Sequence, residues 1–535
     1  MKFYTLLILL IIFSSGVFLS GIDTADAIKA KGTKSPKLFG KATNDIVCGD
    51  KLCSEISQST SKYTANLIST PSYVSLSDGE QFELTASKII KNIDDKTLQM
   101  FGYNGQTPGP LLLVSQGDEI TVNFTNDIDF PTTVHWHGLR LDYTSDGVPG
   151  ISQDPVLPGE TFQYFLKFPD TGTFLYHPHI RNDMQMELGL YGNILVESKN
   201  PTNFSVDYRI PLLLDDISHT EDGLQSFDPD IATHTLMGRF GNTMMINGDT
   251  NFSLELKQGD IVRFYLTNAA NTRVFDFGIE QQKIKLIADD VSEYEKQEFV
   301  DSVILASSER RTIDVLFEQS GQYNITHSTP EKTYVLGTIS VIPSLTQIDS
   351  NFYSTKQNSD IIQEINSFRK FFSDPPDLEL EFDLKMSMEK NNSMNMEITE
   401  KVIEEIEWED EMPKMNTMSN EENTKWILRD MDSGKEGFDI QYQVNVGDVK
   451  KIRLYNNPDS AHPMQHPIHI HGQKFLVLSE DGIPNENLAW KDTVLVPTGK
   501  TVDVLVDFSN PGNWAMHCHI LEHAESGMIT EFVVT

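Results

Sequence analysis

Residues 517–528 read HCHILEHAESGM. Cys518 stands between two histidines, with His523 five residues and Met528 ten residues further on. A thiolate, an imidazole and a weak thioether are the ligands of a blue-copper electron-transfer centre once a second imidazole is added. The segment HPIHIH, residues 466–471, supplies one. Two more His-x-His pairs, His135/His137 and His177/His179, lie in the N-terminal third. Ten of the 14 histidines thus fall into four clusters. A lone histidine is most often a satisfied structural residue, whereas four spaced clusters are a metal-ligand pattern.

An internal repeat supplies the elements that must position these ligands. GDEITVNFTN (117–126), GDIVRFYLTN (259–268) and GDVKKIRLYN (447–456) each read as a turn and an alternating strand ending at Asn. Spacings of 142 and 188 residues are too long for a solenoid and fit three β-sandwich domains. A second repeated element reads TFQYFLKFPDTGTFLYHPH, TIDVLFEQSGQYNITHS and TVDVLVDFSNPGNWAMHCH. Its alternating β-branched and aromatic residues predict paired antiparallel strands. HWHG (135–138) matches HIHG (469–472), while the middle copy has Phe275-Asp276-Phe277-Gly278. His177-Pro178-His179 matches His517-Cys518-His519, while the middle copy has Thr326-His327-Ser328. The middle domain therefore keeps the strands without the ligands and reads as a spacer that holds the outer two domains together.

Strand parity sorts the ligands further. Successive side chains point to opposite faces, so His517 and His519 share one face and Cys518 takes the other. His469 and His471 likewise share a face opposite His466. Domains one and three can then bring eight imidazoles together at their interface, while Cys518, His466, His523 and Met528 collect on the far side. One mononuclear and one multinuclear site would be joined covalently through Cys518 and its neighbouring histidines.

Composition bounds the setting. A formal charge of −36 disfavours nucleic acid and anionic membrane surfaces and favours cationic partners. Residues 1–27 read as a secretory signal: Lys2, an apolar run from Phe3 to Leu19, then Ala25-Asp26-Ala27 as a cleavage site. An uncleaved membrane anchor is the competing reading of that run. No later segment is long and apolar enough to span a bilayer, which predicts an extracytoplasmic protein (secreted, periplasmic or cell-surface). Of three cysteines, Cys48 and Cys53 remain once Cys518 is assigned to metal. A short-loop disulfide is the favoured reading, with a labile thiol pair or an accessory metal site as others. Asn123, Asn203, Asn251, Asn324 and Asn391 open glycosylation sequons.

With HWHG, HPH, HPIHIH and HCHILEHAESGM in this order, residues 70–535 resemble the three-domain multicopper oxidases, the laccase and bacterial copper-efflux-oxidase family. The resemblance implies an all-β chain of three consecutive cupredoxin-like Greek-key sandwiches. Domain one would span 70–200 after an N-terminal extension at 28–69, and domain two 201–345. Residues 346–535 would hold a linker and domain three, with a Met-rich, partly helical insertion at 384–432. The resemblance also implies four coppers per chain. Type 1 copper would sit on His466, Cys518, His523 and Met528, and type 2 on His135 and His469. The type 3 pair would sit on His137, His177, His179, His471, His517 and His519. Asp146, in SDGVPG, matches an acidic residue that assists oxygen reduction, although a turn Asp before Gly also explains it. Many bacterial members carry Glu directly after the last type 1 histidine. Here Ala524 stands there, and Glu525 or water would take over its proton delivery.

The insertion carries eight of the 18 methionines: Met386, Met388, Met394, Met396, Met412, Met415, Met418 and Met431. Eight acidic residues crowd residues 397–411 against the single Lys401. Thioethers select Cu(I) and carboxylates attract cations, while a solvated insertion with gap-filling Met is the plainer reading. Before it, Ile361, Ile362, Ile365, Phe368 and Phe372 are spaced for the apolar face of a linker helix. The whole pattern predicts an oxidase that takes single electrons from Cu(I), Fe(II) or phenols, Cu(I) above all, and reduces O2 to water. A non-catalytic copper-binding protein and a copper nitrite reductase-like enzyme are the alternative readings.

Overall fold

A computed structural model describes residues 71–199, 206–221, 223–387 and 404–535, with backbone pairing at residues 66–67. The signal segment, the Cys48/Cys53 pair, Asn203, Asn391, Met388, Met394 and Met396 lie outside the described residues.

The architecture is three β-sandwiches in succession, as alternation of apolar and polar residues demands. In domain one, a five-stranded sheet contains His135–His137 (β1) and Gly172–His177 (β2), and packs on a four-stranded sheet formed by residues 81–167. A short helix, Asn182–Glu187 (α1), follows the second ligand pair. The middle domain pairs a seven-stranded with a five-stranded sheet. The latter holds Phe275–Ile279 (β3) and Gly321–Ser328 (β4), the counterparts of β1 and β2. Residues 66–67 extend the seven-stranded sheet, pairing in parallel with Tyr208 and Arg209. In domain three, Leu378–Met386 (β5) and Thr424–Asp430 (β6) belong to a seven-stranded sheet. Its five-stranded partner holds His466–Ile470 (β7) and Gly512–Cys518 (β8).

The linker helix forms but is shorter than the apolar spacing predicts. It spans Ser359–Asn366 (α2), capped by Asn358, whose side chain accepts from the backbone N–H groups of Asp360 and Ile361. Phe368 and Phe372 fall beyond it, around a 3-10 turn at Arg369–Phe371. They still pack with Ile361 and Ile365 on Trp490 and Leu505 of domain three. The insertion adds Pro413–Met418 (α3), and Leu521–Glu525 (α4) closes the C-terminal ligand motif.

The asparagine that ends each repeat has a mechanical role. Asn126, Asn268 and Asn456 are all buried. Asn126 Nδ2 donates to the carbonyls of Phe130 and Val156, both at 2.8 Å. Asn268 Nδ2 donates to Arg273 and Leu305 at 2.7 and 2.9 Å. Asn456 Nδ2 donates to Met464 and Val496 at 2.8 and 3.1 Å. In every domain one amide pins the loop leading into β1, β3 or β7, the strands at the ligand positions.

The carbonyls of Met464, Val496 and Pro497 would all lose this donor in Asn456→Ala, at about 1–3 kcal/mol for each group left unsatisfied. Chemical denaturation should show a domain-three transition weakened by about 2 kcal/mol or more. The environment of His466 should shift with it, because Met464 lies two residues before that residue.

Candidate metal centres

The two ligand pairs of domain one face those of domain three across an approximate two-fold axis. Within domain one, His135 lies opposite His177 in the antiparallel register of β1 and β2. Within domain three, His469 lies opposite His517 and Ile468 opposite Cys518. Across the interface His135 meets His471 with ring centroids 4.0 Å apart, and His137 stacks on His469 at 3.7 Å. His177 meets His519 at 5.2 Å and His179 meets His517 at 5.1 Å. A glycine follows the first His-x-His of each ligand-bearing domain, where a side chain has no room. A Cβ on Gly138 would lie 2.4 Å from Asp492 Oδ2, and one on Gly472 would lie 2.3 Å from the Trp514 ring.

Six of the eight rings are anchored through one nitrogen. His135, His177, His469 and His517 use Nδ1 to donate to the carbonyls of Asp146, Pro178, Asp492 and Cys518, at 2.7–2.8 Å. His471 Nδ1 meets Asp146 Oδ2 at 2.9 Å, and His137 Nε2 meets Asp492 Oδ1 at 3.1 Å. The opposite nitrogens of His135, His137, His177 and His469 are buried without a hydrogen-bond partner. Nε2 of His517 lies 3.0 Å from that of His471 and 3.4 Å from that of His179. Buried polar atoms are normally satisfied, and nitrogen lone pairs converging on one another are satisfied by a cation. The bonded nitrogens fix tautomer and ring direction, as outer partners do around a metal.

Electrostatics agree. Burial holds His137, His177, His179, His471 and His519 well below the usual imidazole pKa and lowers His517 to about 3. Neutral imidazole is the form that binds metal. Four triples of ligand atoms within 4.8 Å occur here: His135/His469/His471, His135/His137/His177, His179/His471/His517 and His137/His469/Asp492. They cut across the expected division into type 2 and type 3 ligands. His519 belongs to none of them.

On the other face, Cys518 Sγ lies 3.5 Å from His466 Nδ1 and 3.9 Å from His523 Nδ1, and the two nitrogens are 3.4 Å apart. This triple has the donor set of a type 1 site, and all three residues are fully buried. Burial lowers His466 to about 3, holds His523 well below its usual range and pushes the Cys518 thiol up. The backbone N–H of Ile520 donates to Sγ at 3.4 Å. Met528 is buried in the same core, and its carbonyl accepts from Cys518 N at 3.1 Å.

Trp426 of β6 stacks on His523 with centroids 4.2 Å apart and stands edge-on to His466 at 4.7 Å. Phe382 of β5 contacts His466 at 5.4 Å. Trp426 Nε1 donates to the carbonyl of Thr235 in the middle domain at 2.7 Å. The helix α3 is tied to the same loop: Asn416 Oδ1 accepts from Met237 N and its Nδ2 donates to Gly238 O. Met386, Met412 and Met415 pack against the core that holds Cys518 and Met528.

The expected acids separate. Asp146 Oδ1 lies 3.3 Å from His135 Nδ1, and the other oxygen contacts His471, so this carboxylate touches both halves of the cluster. It also ends a 3-10 turn before Gly147, as a turn Asp does. Glu525 Oε1 instead accepts from Asn182 N at the start of α1, and burial beside Asp183 raises it to about 8. Glu522, which the motif spacing does not single out, is fully buried beside Asn271, and burial raises it to about 7.

Sequence reasoning also missed the middle domain's part. Arg310 is buried, and donates to Asp492 with a two-pronged grip, to Thr173 O in domain one at 2.9 Å and to Ser308 O at 3.1 Å. One side chain thus joins all three domains beside His137. This domain lies between the outer two and bonds to both, and it also contributes contacts to the cluster's surroundings. No ligand motif marks such residues, and only three-dimensional packing reveals them.

Comparison with known proteins agrees with this geometry. The multicopper oxidase family is matched by three domain models, at residues 85–201, 211–342 and 407–535. The chain belongs to the multicopper oxidases; it is a copper-binding oxidoreductase. It is 26% identical to multicopper oxidase mco of Staphylococcus aureus, over 81% of this chain and 83% of that one. Copper resistance protein A of Escherichia coli is 24% identical over 87% and 94%. Among solved structures, a multi-copper oxidase from Pseudomonas thermotolerans has a TM-score of 0.65 at 26% identity, covering 87% of this chain and all of its own. A multicopper oxidase from Campylobacter jejuni, described as a metallo-oxidase, shares the fold with a TM-score of 0.67 at 21% identity, over 88% and 96%.

Removing Arg310 while leaving Asp492 breaks a buried ion pair from one side, a change that costs about 3–5 kcal/mol. Arg310→Met should lower the denaturation midpoint accordingly. Arg310→Met with Asp492→Asn should recover part of the loss, measured as a double-mutant cycle.

Proposed function

We propose that the chain couples four one-electron oxidations of a donor to the reduction of one O2, with four protons, to two waters. One observation carries this reading: a Cys/His2 site and an eight-imidazole site lie back to back, joined by the His517-Cys518-His519 backbone. Type 1 copper is assigned to His466, Cys518, His523 and Met528. Type 2 is assigned to His135 and His469, and the type 3 pair to His137, His177, His179, His471, His517 and His519. When bound, copper supplies the one-electron redox chemistry and the oxygen chemistry. The chain's residues do the rest. Cys518 and its peptide neighbours give the two sites a covalent connection. The carbonyls under each imidazole hold the rings in place. Asp146, against both His135 and His471, is assigned to assisting oxygen reduction. Glu525, whose Oε1 accepts from Asn182 N at the start of α1, is the candidate for proton delivery in place of the acid absent at Ala524.

The donor is proposed to be a small metal ion, Cu(I) above all, rather than a bulky phenol. Trp426 covers both type 1 imidazoles and Phe382 covers His466, and the thioethers of Met386, Met412 and Met415 pack against the same core. Location outside the cytoplasm rests on residues 1–27; among the described residues no helix is long and apolar enough to cross a membrane.

Metal analysis should return about four coppers per chain; one or none supports a copper-binding protein instead. Cys518→Ser should abolish the intense visible absorption and donor turnover together, and full activity in that variant defeats the assignment of electron intake. Trp426→Ala should raise phenol oxidation relative to Cu(I) oxidation in oxygen-consumption assays, while Met412→Leu with Met415→Leu should lower Cu(I) oxidation alone. Unchanged ratios in both would make the cover irrelevant to donor choice.

A further inference from the structure

His519 is the one histidine of the eight outside every close ligand triple, and what it touches instead comes from the middle domain. Ser308 Oγ lies 3.0 Å from His519 Nδ1 and 2.9 Å from Nε2, and Ser307 Oγ lies 3.3 Å from Nδ1. Both serines are fully buried. Ser307 Oγ also donates to the carbonyl of Ala270 at 2.7 Å. Its only proton is thereby used, so toward His519 it can act only as an acceptor.

Ser308 reaches the ring at a conformational penalty. Its φ is +64°, in the left-handed region that glycine occupies freely and other residues enter with strain. It sits in a turn closed by Glu309 N donating to Ala306 O at 3.0 Å, with Glu309 Oε2 accepting from Ala306 N at 2.9 Å. Ser308 N donates to Asn268 O, and Ser308 O accepts from Arg310. Strained residues that are held this firmly cluster at functional sites.

We propose that Ser307 and Ser308 are positioning residues of the copper cluster, supplied by the domain that holds no ligands. This rests on the assignment of His519 as a ligand in the proposed function. The acceptor oxygen of Ser307 keeps the His519 proton on Nδ1, and Ser308 fixes the ring's angle. With the proton on Nδ1, Nε2 carries the lone pair that a metal would take, and Ser308 Oγ lies against the ring edge between the two nitrogens, 3.0 Å from Nδ1 and 2.9 Å from Nε2. The pair does for His519 what backbone carbonyls do for His135, His177, His469 and His517.

Ser308→Gly tests this, because glycine accepts the positive φ and removes the hydroxymethyl group that reaches His519. Wild type, Ser308→Gly and Ser307→Ala would be loaded with copper and titrated with a copper chelator. Copper per chain, the visible band of the Cys518 site and the electron paramagnetic resonance spectrum would be followed. The expected result is cluster copper released at roughly tenfold lower chelator concentration in both variants, in line with the loss of an outer partner. The Cys518 band should persist, and the copper-free Ser308→Gly chain should unfold at no lower a temperature than wild type. Unchanged copper retention and resonance in both variants would overturn the inference. So would a lowered unfolding temperature of copper-free Ser308→Gly without copper loss, the mark of a merely structural hydroxyl. If wild type itself binds no cluster copper, the parent reading falls and this one with it, a failure visible before any variant is made.

Discussion

Burying many imidazoles with bare nitrogens is the constraint on which this molecule is organised. A lone pair deep in protein is costly unless something accepts it, and here several converge from two domains. The arrangement is tolerable because burial favours the neutral form of rings such as His177 and His469 and because these are tethered through their other nitrogen. The tether is mostly a backbone carbonyl, which cannot swing away. Sheet geometry then decides which face receives which ligand, and a single peptide segment, His517 to His519, serves both centres.

Positioning is delegated outward in layers. The repeated asparagines fix the loops before the ligand strands, and the strands fix the rings. Charged groups buried between domains fix the strands relative to one another. Arg310 and Asp492 belong to a wider set with the buried Asp289, Asp290 and Lys491 and the partly buried Arg311, at the junction of the middle and third domains. Such groups are expensive to bury and are stabilising only when completely paired. Their presence beside His137 and His469 fits a demand for fixed geometry more than for stability.

Much of this was legible in the sequence, for identifiable reasons. Period-two alternation and the triple GD…N repeat mark the three sandwiches, because side chains on a half-buried sheet must alternate. Parity alone separates Cys518 from its neighbouring histidines, and the structure keeps them on opposite faces. What stayed hidden depends on contacts between distant segments. Ser308 and Arg310 sit in a stretch without motif, and Trp426 lies in an otherwise polar insertion. Their neighbours come from other domains, which periodicity cannot show. The linker helix was overextended in the reading because apolar spacing continues through a 3-10 turn that preserves the same buried face. Glu525 and Glu522 are three residues apart, yet only packing reveals that one meets α1 and the other Asn271.

The middle domain gives the repeated asparagine a historical meaning. Asn268 pins its loop as Asn126 and Asn456 do, although β3 presents Phe275 and Phe277 where the flanking copies present histidines. The anchor therefore outlives the metal site, or preceded it. A duplicated sandwich of this kind inherits a mounting ready for ligands whether or not it carries any. Gain or loss of copper along the lineage then becomes a matter of a few buried side chains, with no change to the scaffold that holds them.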